Sequence, residues 1–231
     1  MSPAVRVEAD PADASLAGSA PGSGSAAEEV TVALGDFAAA GAPDVRWLDR
    51  ASRPDDTAGS RVIAPAGDGV WRAAPWPAAD ALFELPERSS GAVAVTGADT
   101  GLRDAVASRA GARGLDAEIV ERLDADVLAR VGVVVIAERP GAALPARAFA
   151  ALAARRLLLV PRLDRTFGLE DGLDHLQFAG PDEALLLLAA HARNASAFDR
   201  VLAWGRLKAE PQRASVVYGR LAAGLRADGL A

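Results

Sequence analysis

From residue 91 onward the apolar positions alternate between two periods. Residues 92–96, Ala-Val-Ala-Val-Thr, read as a buried strand. A glycine turn follows, and Leu102, Ala105, Val106 and Arg109 recur at helical spacing over residues 102–113. Residues 117–121 form a second strand. Asp124 is placed to cap a short helix that runs to Arg130. Residues 131–136 are apolar almost without interruption, the pattern of a strand covered on both faces in a parallel sheet. A helix with Leu144, Ala148, Ala151 and Leu152 on its apolar face leads into a strand at 156–160, which Pro161 ends. A loop with Gly168 and Gly172 leads to another strand. Gly180, Pro181, Asp182 and Glu183 open a helix whose stripe is Ala184, Leu185, Leu187, Leu188 and His191. Pro211 separates two further helices, at about 196–208 and 212–226. Strand and helix alternation over 91–193 predicts an α/β fold, a Rossmann-like doubly wound parallel sheet with C-terminal helices.

The chain ahead of this block is less regular. Residues 1–28 are Ala, Ser, Gly, Pro and acids with almost no bulky apolar side chain, so they are expected to be disordered. Residues 29–90 carry strand-like runs at 30–34, 46–48 and 61–64 but no long amphipathic helix. They read as a reduced N-terminal segment and linker before a domain over 91–231. Prolines around Trp76 impose extended backbone on the linker. Trp71, Trp76 and Phe83 then either pin the linker onto the domain or form an aromatic wall for a ligand.

Composition narrows the chemistry. With 231 residues, 51% of them apolar, the chain can bury a sizeable core. Its net charge of -6 and lack of a Lys/Arg block argue against a nucleic-acid partner. It has no cysteine, and its two histidines, His175 and His191, do not share a metal-ligand spacing. No metal and no cofactor is expected. The first residues lack the cationic start and apolar core of a secretory signal, and the leucine run at 185–188 is too short to span a bilayer. The expected location is cytoplasmic.

Two stretches are candidate ligand sites, because loops beyond the carboxyl ends of strands receive ligands in open α/β sheets. The first is the turn with Gly97, Asp99, Thr100, Gly101 and Arg103. Its glycines would let backbone approach a phosphate, Thr100 could cap the helix, and Arg103 could add charge. A tight strand-to-helix turn is the alternative reading. A dinucleotide fingerprint would need a third glycine, and Arg103 stands in its place. A short-chain dehydrogenase is excluded because the only tyrosine, Tyr218, has Ala222 at the lysine position. The second stretch is the loop at 164–172, rich in acids and in glycine (Gly168, Gly172), where Glu170 or Asp171 could bind ribose or sugar hydroxyls or simply face solvent. His191 reads as a helix-end dipole partner or packing residue, and the strand alternation turns His175 toward water.

Together these residues resemble the C-terminal half of GT-B glycosyltransferases, in particular the group-1 and spore-maturation-protein-like branch. The resemblance rests on Leu144-Pro145-Ala146-Arg147-Ala148-Phe149-Ala150-Ala151-Leu152-Ala153-Ala154-Arg155 with the aliphatic strand after it. It continues through Thr166-Phe167-Gly168-Leu169-Glu170-Asp171-Gly172 and the helix start at 178–183. It spans roughly residues 70 to 226, with 71–83 similar to the linker that enters this half. The resemblance implies nucleotide-sugar binding without a metal, with Gly97, Thr100, Arg103 and Arg147 at the leaving diphosphate and Gly168 and Glu170 at the donor. It also implies an acceptor-holding N-terminal Rossmann domain, here expected to be reduced, so that a protein partner would supply it. Three positions depart from the pattern. Ala150 and Ala142 stand where the branch carries carboxylates, and Arg155 stands where it carries glycine. Alanine offers no side-chain acceptor to a ribose hydroxyl. The expected functions are therefore sugar transfer from a nucleotide-sugar donor, a non-catalytic GT-B-derived binding or scaffold module, or a generic small-ligand binder that uses the glycine turn alone.

Overall fold

The computed structural model describes residues 4–8, 29–34, 45–47, 61–64, 72–73, 77–87, 91–142, 144–145, 148–164 and 166–227. The chain divides into two compact units. One comprises Met1–Ala81, Pro145–Phe149 and Pro211–Ala231; the other comprises Leu82–Leu144 and Ala150–Glu210.

The first unit contains a parallel sheet of five strands in sequential order: β1 (Ala4–Glu8), β2 (Glu29–Leu34), β3 (Val45–Trp47), β4 (Arg61–Ala64) and β5 (Arg72–Ala73). The runs at 30–34, 46–48 and 61–64 thus supply β2, β3 and β4. Within the stretch 1–28, residues 4–8 pair in parallel register with residues 29–33. The alternating Val5 and Val7 provide a strand pattern that the small and polar residues around them conceal. Residues 9–28 lie outside the described residues. The segment at 29–90 contributes four strands of this sheet. Val45 and Ile63 are buried.

The C-terminal helix also belongs to this first unit, although the sequence pattern assigns it to the second. Ala78 N–H donates to the Gln212 carbonyl and Ala214 N–H to the Ala78 carbonyl, both at 2.8 Å. Asp80 then accepts from Ser215 N–H at 3.1 Å, which satisfies a free donor at the helix start. Main-chain bonds of this kind leave no trace in hydropathy.

The second unit is the doubly wound sheet. Its strands are β6 (Val93–Thr96), β7 (Ala117–Ile119), β8 (Val133–Ile136), β9 (Leu157–Pro161) and β10 (Leu176–Phe178), all parallel, in the order β10-β9-β8-β6-β7. Helices α1 (Thr100–Ala112), α2 (Ala125–Arg130), α4 (Pro181–Arg193) and α5 (Asp199–Ala209) accompany them, and α3 (Ala148–Ala153) begins in the first unit and ends in this one. Helix α6 (Ala214–Ala227) belongs to the first unit. Every residue of β8 and β9 is buried, as their unbroken apolar runs require, whereas edge strand β7 is half-buried to exposed. The core draws on Val93, Val95, Val106, Val133, Leu157 and Leu185. Asp124 caps α2 by accepting from Val127 N–H at 2.8 Å. Asp99, not Thr100, caps α1, accepting from Leu102 N–H at 3.0 Å. Thr100 is the first helical residue. The one-residue offset follows because the N-cap must keep extended backbone, as Asp99 does with ψ 91°.

The strand order reverses between β6 and β8, and the chain there leaves no room for a side chain. Gly97 has φ 122°, and a Cβ on it would lie 2.2 Å from the Ala137 carbonyl oxygen. Gly97→Ala is therefore expected to lower stability by about 3 kcal/mol or more in urea unfolding, from backbone strain and a clash that no side-chain movement relieves. At Gly101, inside α1, an added methyl meets nothing nearer than Asp99 Oδ1 at 3.6 Å. Gly101→Ala is expected to be neutral or stabilising by up to roughly 1 kcal/mol.

Candidate functional site

In a sheet of this topology the crevice for a ligand opens beyond the carboxyl ends of β6 and β8. Two loops form its floor. After β6, the turn through Gly97 is tied to β8 by Ala137 N–H donating to the Thr96 carbonyl (2.6 Å) and Asp99 N–H donating to the Ala137 carbonyl (3.0 Å). After β8, the loop is tied to the one beyond β9 by Gly141 N–H to the Arg162 carbonyl and Asp164 N–H to the Ala142 carbonyl, both 3.0 Å.

The start of α1 carries its own anions. Asp99 holds the Leu102 amide, and Glu138 reaches across from β8 to accept from Ala98 N–H at 3.1 Å. Those amides are the donors a phosphate would use. Burial raises the Glu138 carboxyl above its ordinary range. The Ala98 hydrogen bond opposes that rise, and the nearby Asp99 charge adds to it. The sequence signals for this pair were present but generic: an acid just before a Thr-Gly helix start, and the first acid after a buried strand.

The turn residues proposed from the sequence do not converge on a free anion cradle. Gly97 is needed for its contact with Ala137. Thr100 is exposed and does not supply the cap. Arg103 Nε lies 3.2 Å from Asp104. Arg147 lies outside the described residues. Gly168 and Glu170 sit beyond β9, which β8 separates from β6 in the sheet, a lateral distance of about 10 Å at ordinary strand spacing. The five described candidates thus form two groups, one on each loop.

The Gly168 loop is held from beneath. Asp174 accepts twice from Glu170 N–H, at 3.0 Å each, and its Oδ1 lies 2.8 Å from His175 Nδ1. His175 Nε2 faces the Gln177 amide at 3.4 Å. Both Asp174 and His175 side chains are fully buried. The expectation that His175 faces water is thereby corrected: the adjacent carboxylate turns the ring inward before the strand begins at Leu176. Helix α5 lies on this loop so closely that a Cβ on Gly205 would come 2.7 Å from the Asp174 carbonyl oxygen. Lys208 adds a bond to the Gly168 carbonyl at 3.0 Å and lies 3.8 Å from Glu170.

Three arginines, of which the sequence singled out only Arg155, hold residues 82–87. Arg156 is buried and donates to the carbonyls of Leu128 (2.7 Å) and Pro86 (3.0 Å). Arg206 donates to those of Ala153 (2.7 Å) and Phe83 (2.6 Å), with its guanidinium 4.7 Å from the Phe83 ring centre. Arg155, where the resemblance expects glycine, has φ 53°. It closes α3 through Arg155 N–H to Leu152 O and Arg156 N–H to Ala151 O, the paired bonds that usually accompany a left-handed glycine. A groove of about 520 Å³ lies between Phe83, Leu85 and α5. Its charges pair with one another, Arg155 with Glu87 at 3.0 Å and Arg206 with Glu210 at 3.2 Å.

Among the described residues, no group of three or more His, Asp or Glu side chains could hold a metal ion, and no helix is long and apolar enough to cross a membrane. No protein-family model and no curated protein matches this chain.

Because the fold binds the Glu138 proton more tightly than the unfolded chain does, that group's contribution to stability is full below about pH 4.3 and is lost as pH rises through its raised value. Glu138→Gln keeps an acceptor for Ala98 and removes the charge. It is expected to melt above the parent at pH 7, with the difference closing below about pH 4 in thermal unfolding.

Proposed function

We propose that this chain is a relative of GT-B glycosyltransferases that acts as a non-catalytic binding or scaffold module. Two features support the ancestry: the doubly wound second unit and a first unit with its own five-stranded parallel sheet, at the place where the resemblance calls for an N-terminal Rossmann domain. With that sheet present, the proposal needs no partner to supply an acceptor domain.

The observation that carries the loss of turnover is the occupation of Ala98 N–H and Leu102 N–H by Glu138 and Asp99. A diphosphate entering there would meet two carboxylates at those amides, and like charges at close range are costly in a partly desolvated crevice. The donor side gives no compensation, because Ala142 and Ala150 offer no side-chain acceptor to a ribose. Nucleotide-sugar transfer is the alternative. It would rely on the exposed Thr100 and on the exposed Gly168 and Glu170 of the loop after β9. The proposal places the protein in the cytoplasm.

Calorimetric titration with UDP-, GDP- and TDP-sugars separates the two readings. The expected result is no saturable binding tighter than about 1 mM for any of them. Micromolar binding that Thr100→Ala weakens, accompanied by sugar release, would establish the transferase reading instead.

A further inference from the structure

We propose that His191 is an acid-sensitive latch: its protonation loosens the 3₁₀ turn Ala195–Phe198 and helix α5, and with them the strap over the Gly168–Asp174 loop. His191 lies in the last turn of α4 and is 1% exposed. Its Nδ1 is buried and has no hydrogen-bond partner among the described residues. Its ring packs 5.5 Å from that of Phe198, tilted by 55°. Phe198 and Val201 in turn lie against the core that includes Leu185, Leu188 and Leu202. The imidazole therefore sits at the joint where α4 passes the chain to α5.

A neutral imidazole fits this site, whereas an imidazolium would place a second buried donor there without an acceptor. Among the described residues no carboxylate pairs with it. On α4, Arg193 donates to the Ala189 carbonyl. On α1, Arg103 pairs with Asp104 and Arg109 with Asp182 of α4. On α5, Asp199 and Arg200 are exposed, Arg206 pairs with Glu210, and Lys208 is held by Gly168 and Glu170. The 3₁₀ turn and β10 carry no charged residue. The position at a helix C-terminus favours a cation, but burial outweighs it and draws the imidazole below its ordinary range.

The mechanical link runs through α5. Gly205 lies against the Asp174 carbonyl, and Lys208 bonds to the Gly168 carbonyl. A shift of α5 therefore withdraws support from the loop beyond β9, while β8 and β9 remain held by their ladder. Since an opened corner exposes an imidazole of ordinary basicity, opening grows about tenfold for each pH unit below roughly 6.5, until the closed form also protonates.

Amide hydrogen exchange between pH 7 and pH 5, corrected for intrinsic rates, tests this in the full-length protein. Protection of the Leu169, Glu170 and Asp174 amides and of α5 is expected to fall about tenfold per pH unit below roughly 6.5. The amides of β8 and β9 should be unchanged, and His191→Phe should abolish the loss. Loss of equal size in His191→Phe would overturn the proposal. So would an NMR titration of the native protein in which His191 protonates while loop protection stays constant, a test that does not depend on the variant folding.

Discussion

The close approach of Gly97 to the backbone of Ala137 is the constraint on which the second unit depends. It allows β6 to lie against β8 at the place where the strand order reverses, and it directs the chain into α1. The turn is then fixed by main-chain bonds to Ala137 and by two carboxylates, Asp99 on the helix start and Glu138 from the loop after the neighbouring strand. A site that in other doubly wound sheets awaits an anion is here neutralised from within the chain. Glycine and acids serve the same structural purpose, which is to fix this turn.

Much of the second unit was legible in the sequence because burial on both faces writes itself as unbroken apolar runs. Residues 133–136 and 157–160 could hardly be anything but interior strands of a parallel sheet. The Asp124 cap and the proline-led helix at 181 were equally plain. In the first unit the runs of β2, β3 and β4 were legible, but β1 was not, because it is short and embedded in alanine, glycine and polar residues that give it no contrasting background. The return of α6 to that unit depends on bonds from Ala78 and Asp80 to residues 212–215, more than 130 positions away, which no local pattern encodes.

The candidate site was legible in position but not in character. The glycine turn and the Gly168 loop do lie at the carboxyl ends of strands. What the sequence could not reveal is the partner each polar group finds. Arg103 meets Asp104, Lys208 meets Gly168, and Asp174 holds both Glu170 and His175. His175 and His191 illustrate the limit. Both are buried, yet one is satisfied by an adjacent carboxylate and the other has an unpartnered Nδ1, a difference set by tertiary packing alone.

The central claim is that the Ala98 and Leu102 amides at the start of α1 are already taken. Nitrogen–proton correlation spectra of the Ala98 and Leu102 amides during a titration with inorganic phosphate at pH 7 test it most directly. The account predicts that neither resonance follows a saturable curve up to tens of millimolar phosphate, on the order of 2–3 kcal/mol of standard binding free energy. A saturable shift of both amides at sub-millimolar phosphate would contradict it.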